Sequence, residues 1–226
     1  MRPVRIRGDG GTEGWPGWLK VSVPFLLCGI LFAGAGLILP GEQRLLLLCM
    51  MVAYIVPPFG RETIIPASIL LGIPWWLIAV TLAFLDFAGG LFMVWNFPLV
   101  LRIPYVGPRI QRIMVASRTY LDQRPWLERF YFLGLIAFVS IPFDGSGSII
   151  ASIVGRVLGM TETEVLSCIT IGGVIGSFAI ALGIDYITGF MPTEAGSWVS
   201  LAVFLMIGTT ILVMCRSYSR MRKASA

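Results

Sequence analysis

Long apolar runs and adjacent pairs of short ones fill most of this chain, a pattern that leaves little room for a water-soluble fold. The runs cover residues 18–39, 44–58, 61–73, 75–101, 130–143, 148–160, 163–187 and 196–215. A helix needs about 20 residues to cross roughly 30 Å of hydrocarbon, so the first, fourth, seventh and eighth runs can span a bilayer. The other four are too short. Charged residues make up 13% of the sequence, against roughly 25% in a soluble domain, and 226 residues leave room for one membrane domain without a sizeable soluble one.

Each pair of short runs is joined by a break rich in proline and glycine: Val56-Pro57-Pro58-Phe59-Gly60 in the first, Pro142-Phe143-Asp144-Gly145-Ser146-Gly147 in the second. Such a break ends a helix and leaves backbone groups unpaired, which at membrane depth requires protein or a water-filled cavity around it. Residues 44–73 and 130–160 therefore read as re-entrant hairpins with buried tips. The positive-inside rule orients them. Arg2, Arg5, Arg7 and Lys20 keep residues 1–17 in the cytoplasm, and the first run reads as a retained helix. A first half, 18–101, then returns the chain to a cytoplasmic loop, 102–129, which carries Arg102, Arg109, Arg112, Arg118, Arg124 and Arg129 and is expected to be an amphipathic interfacial segment. A second half, 130–215, places the basic tail 216–226 on the same side. The expectation is a multi-pass protein of the plasma membrane, all-α, with about four transmembrane helices, two opposed re-entrant hairpins and cytoplasmic termini.

A shift of 87 positions aligns Gly60 with Gly147, Leu71 with Leu158, Gly72 with Gly159 and Gly89 with Gly176, and lays one break over the other. With hairpins entering from opposite sides, the halves form an inverted repeat, the plan of many secondary transporters.

Several chemistries are disfavoured. The chain has no histidine, which argues against zinc chemistry and against a serine hydrolase built on Ser146, whose surroundings also lack the G-x-S-x-G pattern. Cys28, Cys49, Cys168 and Cys215 are scattered through apolar sequence without a C-x-x-C pair, and read as packing residues. The net charge of +5 is spread over loops as a topology signal and does not point to nucleic acid. Trp75, Trp76, Trp95, Trp126 and Trp198 sit near span ends and mark depth. The expectation is a non-enzyme with no cofactor.

Ionisable residues at membrane depth are the anomaly. Insertion scales put Arg or Asp at a helix centre at about 2.5–3.5 kcal/mol, so such residues face a cavity or one another. Gly60, Arg61 and Glu62 lie at the first tip, Asp144, Gly145, Ser146 and Gly147 at the second, and Asp86 near the middle of 75–101. One reading is a structural network in which Arg61 neutralises Glu62 or Asp144. The other is a substrate site, with Arg61 gripping an anionic head group and the N–H groups of Gly145, Ser146 and Gly147 forming a second cradle. Glu62, Asp86 and Asp144 are then candidates for proton coupling. Arg156, about 15 Å along a helix from the second tip, is expected to snorkel to the cytoplasmic interface, with docking of a phosphorylated lipid as the alternative. Asp185 is expected to be solvated.

Gly60-Arg61-Glu62-Thr63-Ile64-Ile65-Pro66 and Ile141-Pro142-Phe143-Asp144-Gly145-Ser146-Gly147 resemble the E-L-R-G-x-I-P and I-P-L-P-G-T-G regions of the small multi-drug export protein family, within the DedA/VTT membrane superfamily. The resemblance covers about residues 44–185. The order of charges around Arg61 differs from the family's, and Asp144 stands where a second proline is usual. The resemblance implies opposed re-entrant hairpins and movement of lipids or lipid-linked phosphates. The leading expectation is a flippase or scramblase of phospholipid or polyprenyl phosphate. The alternative is a proton-coupled exporter of small lipophilic cations, and a third reading is a scaffold acting through the arginine-rich loop. Expected partners are membrane lipids, a lipid-linked phosphate or small amphipathic substrate, and a second copy of the chain.

Overall fold

The computed structural model describes residues 16–55, 59–104, 106–121, 127–141 and 147–190. These residues form eight helices: α1 (Gly17–Ile38), α2 (Gly41–Ile55), α3 (Arg61–Leu70), α4 (Trp75–Val100), α5 (Val106–Leu121), α6 (Leu127–Ser140), α7 (Ser148–Val157) and α8 (Glu162–Phe190). Three of the eight are long and apolar enough to cross a membrane: Gly17–Ile38, Trp75–Val100 and Glu162–Ile187. The expected fourth span, 196–215, lies outside the described residues, as does the tail.

Helices α4 and α8 form the central pair and touch most of the others. Small residues bring them close. A Cβ on Gly90 would sit 2.9 Å from Ile169, and one on Gly173 would sit 3.5 Å from Asp86, the kind of approach that glycine permits between membrane helices. One apolar cluster joins α1, α2, α3 and α4 around Leu47, Ile65, Ile78 and Leu82; a second joins α4, α6, α7 and α8 around Val94, Val139, Val165 and Ile169. Helix α1 lies on α4, with Phe25 edge-on to Phe92 and Asn96 Nδ2 donating to the Lys20 carbonyl at 3.3 Å. Its other side exposes Trp18, Leu26, Ile30 and Leu37, apolar surface suited to lipid.

Helices α3 and α7 have ten residues each, begin after Gly60 and Gly147, and end in the same turn. Gly72 and Gly159 both take φ near +87°, a left-handed conformation that glycine adopts without Cβ strain. Ile73 N–H returns to the Ser68 carbonyl at 3.0 Å and Met160 N–H to the Gly155 carbonyl at 3.1 Å. Gly72 N–H reaches Ile69 O at 3.0 Å and Gly159 N–H reaches Arg156 O at 3.2 Å. This is the 6→1, 5→2 pattern that closes a helix and reverses the chain. The next long helix starts three residues beyond each glycine, at Trp75 and Glu162.

Helix α5 carries exposed Arg109, Arg112 and Ile113, with Met114 buried, and packs along α7. Among the cysteines within the described residues, Cys168 is buried, Cys28 is half-buried and packs against the first cluster, and Cys49 is exposed on α2; Cys168 and Cys28 meet the expectation of packing residues and Cys49 does not.

Candidate functional site

Asp86 stands eleven residues into α4, about 16 Å along its axis at 1.5 Å per residue. It is buried, and its partner is Arg61, the first residue of α3: Nη2 lies 2.7 Å from Asp86 Oδ2, with side-chain exposures of 5% and 1%. Tyr54 Oη on α2 donates to Asp86 Oδ1 at 2.8 Å and accepts from Arg61 Nε at 3.4 Å. Three helices thus meet in one triad.

The gap between α6 and α7 supplies the rest of the shell. The last carbonyls of a helix have no intrahelical partner, and Val139, one residue from the end of α6, gives its carbonyl to Arg61 Nη1 at 3.0 Å. Ser148, the first residue of α7, gives its backbone N–H to the Asp86 carboxylate. A helix C-terminus carries partial negative charge and an N-terminus partial positive charge, so each helix end faces the charge it favours. Arg61 lies against the end of α6, and Asp86 against the start of α7.

Two glycines make room for this arrangement. A Cβ on Gly176 of α8 would collide with Arg61 Nη1 and come within 2.7 Å of the Ser140 carbonyl, and a Cβ on Gly89 of α4 would sit 2.8 Å from Ser148 Oγ. Ser152 Oγ, one turn further along α7, donates to the Ser148 carbonyl at 2.6 Å.

The network reading had Arg61 neutralise Glu62 or Asp144; in the structure its ion pair is with Asp86. Glu62, next to Arg61 on α3, instead folds its carboxylate back over Gly60, the N-cap of that helix. Asp144, Gly145 and Ser146 lie outside the described residues. Gly147 is the N-cap of α7, and the N–H that follows it is taken by Asp86.

Arg156 also departs from expectation. Rather than reaching the interface, it is 4% exposed, stacks over the Phe97 ring at 5.8 Å, donates to Met160 O at 3.1 Å and lies 3.8 Å from Glu162. The glycine turn at Gly159 folds Glu162 back to the end of α7, which binds the arginine to its own unit. Asp185 is exposed, as expected. No cluster able to hold a metal ion occurs among the described residues.

Tyr54, the Val139 carbonyl and the Ser148 N–H were not anticipated. Tyr54 had a signal, as a phenol inside an otherwise apolar run seven residues before an arginine. The two backbone groups had only the helix ends themselves.

A family model described as "Putative small multi-drug export protein" matches residues 62–179, just over half of the chain. The matched segment begins one residue after Arg61 and contains Asp86, Val139, Ser148 and Arg156. No curated protein and no solved structure matches the chain.

Proposed function

Because the chain belongs to the small multi-drug export family, we propose that it is a membrane transporter whose substrate carries an anionic head group, bound where Arg61 now holds Asp86. The observation that carries this reading is the buried Arg61–Asp86 pair near the middle of a spanning helix.

Charge arithmetic favours an anion over a cation. Arginine stays protonated under any accessible condition, and an uncompensated charge in a site this buried costs several kcal/mol, on the order of 3–5 when one partner of a pair is removed. A lipophilic cation seated at Asp86 would leave two positive charges facing one carboxylate. An anion on Arg61, with Asp86 protonated, leaves the site neutral. A lipid phosphate or a similar amphipathic oxyanion fits that requirement, and movement of such lipids remains the leading form of the proposal.

The transporter plan has its own support. Helices α3 and α7 rise about 15 Å each, half of a 30 Å core, as arms of re-entrant hairpins would. Arg61 packs on Gly176 while Ser148 packs on Gly89; Ser148 and Gly176 are the residues that the 87-position shift assigns to Arg61 and Gly89. Asp86 and Gly173, which touch, are assigned to each other. Contacts that exchange in this way support two opposed halves of the DedA/VTT kind around an axis close to Asp86, and the exposed arginines of α5 support a cytoplasmic face there.

The test is transbilayer movement in proteoliposomes of a labelled polyprenyl phosphate, a labelled phospholipid and tetraphenylphosphonium. The expected result is protein-dependent movement of a phosphate-bearing lipid that falls to the protein-free rate in Arg61→Ala. Transport of tetraphenylphosphonium that survives Arg61→Ala and is lost in Asp86→Asn would overturn the anion reading in favour of cation export, the activity the family's description suggests.

A further inference from the structure

The groups around the Asp86 carboxylate are those a free oxyanion would need. A guanidinium nitrogen lies at 2.7 Å, a phenol hydroxyl at 2.8 Å, and a backbone N–H at the start of α7 completes the set. Charge-assisted and helix-terminal donors of this kind bind phosphate, sulfate and carboxylate alike. We infer that Asp86 is the resident occupant of an oxyanion site, and that a substrate's head group takes its place only when Asp86 has accepted a proton. This rests on the anion-transport reading above and adds to it a fixed coupling of one proton to each anion.

The surroundings of Asp86 supply the reason. From α2 it meets Tyr54, from α3 Arg61 with Glu62 beside it, from α7 the Ser148 N–H and from α8 Gly173; α6 contributes the Val139 carbonyl to Arg61. Among the described residues no second cation faces the carboxylate, and Arg61 cannot give up its charge. Four combinations are then possible, and the one with Asp86 protonated and no anion bound leaves Arg61 uncompensated. Arginine with ionised Asp86 is neutral, and arginine with a bound monoanion and protonated Asp86 is neutral. Arginine with both anions present carries an uncompensated negative charge at membrane depth, which is the state the bilayer penalises. On loading, a proton from water forms the O–H bond of the Asp86 carboxyl, and the freed donors turn to the incoming oxyanion. On release the proton returns to water and the carboxylate closes on Arg61 again. The same donor set would accept a lipid-borne or a free oxyanion, and the two probes below separate these sources.

The experiment is calorimetric titration of octyl sulfate into the full chain in lipid nanodiscs, in two buffers of different ionisation heat, with methyl sulfate as the second ligand. Octyl sulfate keeps its charge across the working pH, so any proton taken up belongs to the protein. Wild type is expected to bind octyl sulfate with uptake of about one proton, its affinity rising about tenfold for each unit of pH decrease where Asp86 is ionised. Asp86→Asn is expected to bind at least tenfold more tightly than wild type at pH 8, with no proton uptake, and Arg61→Ala not to bind. Equal binding of methyl sulfate, a monoanion without a lipid-like chain, would identify a free oxyanion as the ligand, with the same proton uptake expected. Binding by wild type without proton uptake would overturn the coupling while leaving the anion site standing. Failure of wild type and Asp86→Asn to bind either ligand would overturn both. Should Asp86→Asn not fold, the wild-type proton count decides alone.

Discussion

Removing either charge of the Arg61–Asp86 pair is expected to lower unfolding stability by about 3–5 kcal/mol, and removing both to cost much less than the two losses together. The singles are not equivalent. Arg61→Ala leaves a carboxyl that can shed its charge by taking a proton. Asp86→Ala leaves a guanidinium that cannot, with the Val139 carbonyl and Tyr54 Oη as its remaining hydrogen-bond partners among the described residues. Asp86→Ala should therefore be the more damaging single change, and the double variant should lie closer to wild type than Asp86→Ala does. Denaturant-induced unfolding of the four proteins in detergent checks this. Single losses that simply add would show that the two charges do not act as a pair.

Gly176→Ala should be the most damaging glycine substitution on α8. Its Cβ would meet Arg61 Nη1 and, 2.7 Å away, the Ser140 carbonyl at the end of α6. The guanidinium can swing but the carbonyl is backbone, so the end of α6 must move off α8, and with it the Val139 carbonyl that Arg61 uses. Overpacking of this kind costs about 1–3 kcal/mol. Gly183, seven residues on in the same helix, has nothing within 4 Å of a Cβ, so Gly183→Ala should gain the helix preference of alanine, up to about 1 kcal/mol. The two alanines are thus expected to shift the melting temperature in opposite directions, and transport of any lipid phosphate should fall at least tenfold in Gly176→Ala alone. A Gly176→Ala protein as stable as Gly183→Ala would mean that α6 and α8 do not approach as closely as described.

The parts of this site that were legible in the sequence are those with a local cause. An aspartate in the middle of an apolar run long enough to span has to be buried, and Arg61 beside a proline-rich break has to lie at a helix start; both held. The glycines at 72 and 159 stood at matching places in the two halves and proved to close both short helices in one turn geometry. Pairing was not legible, because it is decided across elements. Glu62 adjoins Arg61 in the sequence and Asp144 sits at the facing break, yet α3 packs against α4, and the Asp86 side chain forms the ion pair with Arg61. Arg156 misled for the same reason. Length along α7 suggested that it could reach water, while Phe97 from α4 and Glu162, returned by the turn at Gly159, enclose it. Backbone donors and acceptors such as the Ser148 N–H and the Val139 carbonyl have no residue type to reveal them, and become visible only once the helix ends are placed.

Transport of this kind requires above all that an oxyanion can reach Arg61. Solid-state NMR of the reconstituted chain with ¹⁵N-labelled arginine and octyl phosphate measures that contact through the dipolar coupling between phosphorus and guanidinium nitrogen. The expected result is a phosphorus-coupled arginine signal that strengthens in Asp86→Asn, where the site has lost its resident carboxylate, and disappears in Arg61→Lys. Coupling that persists unchanged in Arg61→Lys would place the anion on surface arginines such as those of α5 and would contradict it.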